Sequence, residues 1–105
     1  MDAAKMTFRT KRSRQNPKLI HDITTWIQEI SSGNSKLVED DLSQIFARFD
    51  NYRGLEARRI LWVLIDEDYK TAITMLKEWR KSIYLESKSI WNVTAPERLD
   101  ILNEN

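Results

Sequence analysis

The residues best suited to chemistry in this chain lie in one short run, Thr10-Lys11-Arg12-Ser13-Arg14, with Arg9 before it and Lys18 shortly after. Cationic side chains at this density neutralise phosphates, and each contact releases a condensed counterion. Arg9, Lys11, Arg12, Arg14 and Lys18 are the expected nucleic-acid contacts, and Phe8 offers one ring on which a base could stack. The same run also suits an import address or an acidic protein surface, and a solvated tail is the plain alternative. No second ring or RNA-recognition pattern accompanies it, so binding through it would be insensitive to sequence.

Charge is divided along the chain. Residues 1–18 carry six cations against Asp2 alone, about +5, whereas the whole chain is +1, which leaves about −4 on residues 19–105. This split predicts an arm that seeks an anionic partner and a body with a different task.

The remaining inventory argues against catalysis. Cysteine is absent, so thiolate nucleophiles, disulfides and sulfur-ligated metals are excluded together. His21 is the single histidine, no Gly-x-Ser-x-Gly elbow exists, and two glycines build neither a P-loop nor a dinucleotide fingerprint. The acidic triplets Glu39-Asp40-Asp41 and Asp66-Glu67-Asp68 could in principle hold a hard cation. Consecutive helical residues point around the axis rather than at one centre, so both triplets are better read as helix N-terminal charge. The expectation is a protein that is not an enzyme, with no metal and no cofactor.

Four tryptophans are the other conspicuous residues. Trp26, Trp62 and Trp79 fall on or near apolar helical stripes and are expected in the core. Trp91 sits in a Ser/Lys/Asn-flanked stretch and is the candidate protein-interaction anchor, since tryptophan is enriched among binding hot spots.

The elements that must position these residues read as helices. A 105-residue chain with two glycines and two prolines has few residues for tight β-turns. Asn16 is the expected cap of the first helix, with Pro17 in its first turn, and Leu19, Ile23, Ile27 and Ile30 repeat at helical steps. Ser31-Ser32-Gly33-Asn34 should end it. A second helix is predicted over 36–50 with Val38, Leu42, Ile45, Phe46 and Phe49 inward, and residues 51–54 as the connection. The apolar run Ile60–Ile65 makes the third, over 55–65, the expected central element. The fourth is predicted over 67–85. Thr94-Ala95-Pro96-Glu97 has the pattern of a capping box before a last short helix with Leu99 and Leu102 inward.

Two short stretches resemble known families. Residues 68–73, Asp-Tyr-Lys-Thr-Ala-Ile, look like the middle of a tetratricopeptide hairpin, but the repeat's tryptophan, glycine and proline positions are unmatched and no second copy follows. Residues 76–83 are similar to the closing helix of the N-terminal domain of transcription elongation factors of the TFIIS kind. That covers eight residues, and neither likeness carries a function over.

The sequence therefore predicts an all-α fold: a compact bundle of four main helices plus a short C-terminal helix, with a flexible basic arm over 1–15 and one domain over 16–105. The expected function is a non-catalytic regulatory or interaction module whose body binds a protein partner and whose arm contacts DNA or RNA. A pure protein-binding adaptor or inhibitor is the alternative. No apolar run approaches the ~18–20 residues that span a bilayer, no secretion signal is visible, and the expected setting is intracellular, cytoplasmic or nuclear. Nothing in the pattern fixes an oligomeric state.

Overall fold

The structure, a computed structural model, describes the backbone of residues 2–48, 52–87 and 93–103 and the side chains of 16–48, 53–86 and 93–103. Five helices follow one another: α1 (Asp2–Ser31), α2 (Ser35–Arg48), α3 (Tyr52–Ile65), α4 (Tyr69–Ser87) and α5 (Ala95–Leu102). No strand occurs among the described residues. The all-α architecture of four main helices and a short last one is as the periodicity predicts.

Helix boundaries are instructive where they differ. α1 continues back through the basic run to Asp2, so Pro17 lies inside the helix, and the expected start at Asn16 does not occur. Proline there removes one i→i−4 hydrogen bond but leaves the flanking turns able to continue. The Asn16 side chain turns instead to α3, where its Oδ1 accepts a hydrogen bond from Arg53. α3 begins at Tyr52, three residues early, and takes Gly54 into a buried position rather than a loop.

Two interhelix turns share one geometry. Gly33 stands at φ +89°, its N–H bonded to the Ile30 carbonyl while the Asn34 N–H reaches Glu29. At the end of α3 the same pair of bonds recurs, Glu67 to Leu64 and Asp68 to Val63, with Glu67 at φ +62°. This is the Schellman closure of a helix. Asp68 then starts α4, its carboxylate accepting from the Thr71 N–H at 3.3 Å. The acidic triplet 66–68 therefore splits its work between ending one helix and starting the next. The other triplet does not lie in the first turn of α2; Asp41 is instead the acceptor for the Trp26 indole N–H at 3.0 Å.

The core lies between α1 and α4, and α4 is the central helix. It packs against α1, α3 and α5, whereas α3 packs mainly against α2 and α4. The expected centrality of α3 is corrected by this arrangement. Leu19, Ile20, Ile23, Trp26 and Ile30 of α1 face Ala72, Leu76, Trp79 and Ile83 of α4. The Trp26 and Trp79 rings stack with centroids 6.5 Å apart and planes 24° from parallel. Val38 and Leu42 from α2, Ala57, Ile60, Leu61 and Leu64 from α3, and Ile101 from α5 complete the interior.

Two charged residues are buried among those described, Arg80 and Glu97. Arg80, on the inward face of α4, has no solvent exposure; its guanidinium donates to Thr24 Oγ1 and to Asp100 Oδ2, each at 2.8 Å. A buried cation is tolerable only when paired and hydrogen-bonded. These bonds tie α4 to α1 on one side and α5 on the other.

Candidate functional site

Six consecutive apolar residues cannot all be buried on a helix that has neighbours on one side only. At 100° per residue, Ile60, Leu61 and Leu64 turn toward α2 and α4 and are buried, and Val63 is half-buried. Trp62 and Ile65 are left outside, each 58% exposed. The expected place of Trp62 in the core is thus corrected; of the three tryptophans assigned there, Trp26 and Trp79 are buried. One turn and two turns before Trp62 stand exposed Arg58 and Leu55. A second apolar stripe therefore runs along the solvent side of α3, opposite the core stripe.

The Arg58 guanidinium organises this face. It lies 4.8 Å from the centroid of the Trp62 ring and 5.6 Å from that of Phe46 on α2. Phe46, expected inward, is 43% exposed because its position on α2 leans toward the rim of α3. A cation over two rings holds them in place, each contact contributing about 0.5–1 kcal/mol at an exposed site. No carboxylate pairs with Arg58 among the described residues, whereas the neighbouring Arg59 meets Glu56 within its own helix at 3.0 Å. A fixed tryptophan beside an arginine, with leucine and isoleucine along the same stripe, is the composition of a binding hot spot. The residue pattern held a signal for this face: the apolar run Ile60–Ile65 is wider than one buried stripe on a helix.

The residues singled out from sequence are placed differently. Arg9, Lys11, Arg12 and Arg14 belong to the helical backbone of α1, and their side chains lie outside those described. Lys18 is exposed and forms an ion pair with Asp22 at 3.1 Å. It edges a cleft of about 240 Å³ between α1 and α2 that also takes in Arg48 and Asp41, with Trp26 in its wall. Two cations and two acids give that cleft no preferred sign of ligand. Trp91 lies outside the described residues.

His21 is the other group with chemical potential. Its Nδ1 is 2.6 Å from Glu97 Oε1, the ring side chain 65% exposed and the carboxylate 9% exposed. An imidazole oriented by a carboxylate can activate a hydroxyl. The nearby hydroxyls are otherwise engaged: Thr24 donates to the Ile20 carbonyl at 3.0 Å and Thr25 to the His21 carbonyl at 3.2 Å. The pair acts as a clasp between α1 and α5. It also explains why the expected capping box is not made: Thr94 forms no side-chain cap, and Glu97 reaches across to α1. α5 is consequently rotated so that Ile101 faces inward, and Leu99 and Leu102, expected inside, are exposed.

Among the described residues no group of three or more His, Asp or Glu side chains is arranged to hold a metal ion, and no helix is long and apolar enough to cross a membrane. Comparison with known protein families, curated proteins and solved structures finds no match.

Proposed function

We propose that this chain is a non-catalytic interaction module: the solvent face of α3 binds a protein partner, and the basic residues preceding Pro17 contact nucleic acid. The observation that carries the reading is Trp62, 58% exposed and held by Arg58 on a helix whose opposite side is core. A large apolar side chain kept rigid in solvent gains free energy when a partner covers it, and little ordering entropy is lost in doing so. The nucleic-acid half of the proposal rests on the charge of residues 1–18 against the acidic remainder. In this reading Trp62, rather than Trp91, is the anchor for protein.

The test separates the two halves. The tagged protein is recovered from its own cell with and without nuclease, as wild type, as Trp62→Ala, and as the quadruple change of Arg9, Lys11, Arg12 and Arg14 to Ala. Trp62→Ala should release protein partners; the quadruple variant should release nucleic acid alone. Against a duplex in solution, four or five phosphate contacts give a slope of log affinity on log salt of about −3 to −5, lost equally across sequences in the quadruple variant. If that variant binds nucleic acid as well as wild type does, the tethering half is wrong and a protein-only adaptor or inhibitor remains.

A further inference from the structure

The exposed side of α3 carries cations at its middle and is followed by anions beyond its last turn. Arg58 and Arg59 stand at mid-helix, and the exposed Asp66 and Glu67 follow the last turn. Between them is Trp62, four residues from Arg58 and four from Asp66. Seven residues before Trp62 is Leu55, 58% exposed. The charges are thus arranged symmetrically about Trp62, a cation one turn before it and an anion one turn after it.

We infer that the partner of this face is a second copy of the chain, docked with the two α3 helices antiparallel about a twofold axis at Trp62. The inference rests on the reading of α3 as the protein-binding face. A twofold interface requires a self-complementary patch, in which residue i meets j and j meets i. About that axis Arg58 of each copy faces Asp66 of the other, and the two Trp62 rings meet at the centre. Neither Arg58 nor Asp66 has an ion-pair partner within its own chain among the described residues. The Arg58 guanidinium sits 4.8 Å from the Trp62 ring centroid, and a guanidinium stacked on a ring can still donate its N–H groups to a carboxylate. The antiparallel arrangement also opposes the helix dipoles favourably. The acids at the far end of the stripe repel phosphate, which disfavours nucleic acid as the occupant of the same face.

The stripe from residue 55 to residue 65 is about 15 Å long at 1.5 Å per residue. A contact of that size belongs with small reversible interfaces, so dissociation constants on the order of micromolar are expected. Sedimentation equilibrium from about 1 µM to about 500 µM should show wild type passing from monomer to dimer. Arg58→Asp and Asp66→Arg each place like charges opposite one another in a homodimer, and each should weaken association at least about tenfold. In an equimolar mixture of the two variants both cross-pairs are again opposite in sign, so a one-to-one heterodimer should form at wild-type concentrations. Far-UV circular dichroism establishes that each variant is folded, and the rescue in the mixture could not come from an unfolded one. A mixture that associates no better than its components overturns the register. Wild type that remains monomeric at the highest concentration overturns the second copy while leaving α3 open to a different protein. A dimer that survives Trp62→Ala unchanged overturns this inference and shows that the self-association uses another surface.

Discussion

Leu64 and Trp62 lie two residues apart on α3 and are 1% and 58% exposed. Their difference is the sharpest available test of how this helix divides between packing and binding. Leu64→Ala leaves a cavity among Ile60, Leu61 and the α4 side chains, and should lower unfolding free energy by about 2–5 kcal/mol. Trp62→Ala removes one exposed ring and one cation–ring contact and should cost less than about 1 kcal/mol in the dilute monomer. Urea denaturation of both variants at low protein concentration reads the comparison. Equal losses would mean that Trp62 is packed, and α3 would lose its claim to be an interface. Arg80 shows the converse mismatch between residue type and place: a charged side chain on the inward stripe, made tolerable by Thr24 and Asp100.

At the scale of elements, the two Schellman closures are equivalent in backbone but not in sequence. Gly33 adopts φ +89° without steric cost, and a Cβ built there meets nothing within 4 Å, so the cost of a side chain would be conformational alone. Glu67 adopts φ +62° with a Cβ, a conformation that costs a non-glycine residue about 1–2 kcal/mol. Gly33→Ala should therefore destabilise by about 1 kcal/mol, and Glu67→Gly should stabilise by about 0.5–1 kcal/mol after the added freedom of the unfolded chain is subtracted. Opposite shifts in thermal midpoint for the two variants are the expected signature. A destabilised Glu67→Gly would mean that the carboxylate makes a contact worth more than the strain. The same contrast explains why the end of the first helix is legible from its glycine, whereas the junction of α3 and α4 falls within an acidic triplet that looks like a helix start.

In the molecule as a whole, α5 depends on others for its place. Eight residues do not make a stable helix alone, and α5 is held by Ile101 in the core and by two polar bonds, Glu97 to His21 and Asp100 to Arg80. Glu97→Ala should loosen α5 locally: amide exchange over 95–102 should accelerate at least about tenfold while α4 stays protected, since a charge-assisted hydrogen bond contributes about 1.5–3 kcal/mol. His21→Ala should reproduce the pattern if the clasp is its cause. Uniform acceleration across all helices would instead show that α5 is part of one cooperative unit.

The helical class, the number of helices and most of the buried stripe were set by local pattern. Leu19, Ile23 and Ile30, or Ala72, Leu76 and Trp79, recur at the helical period, and any packing that buries a helix must bury that side. Which residues of a continuously apolar segment stay wet was decided by tertiary structure, because it depends on how many neighbours the helix has. α3 packs mainly against α2 and α4, so Trp62 faces water; α4 sits among three helices, so even Arg80 is enclosed. Partner choice across sequence distance was equally out of reach of local pattern. Glu97 has the spacing of a capping residue, and only the approach of α1 to α5 brings His21, 76 positions away, close enough to take its carboxylate instead.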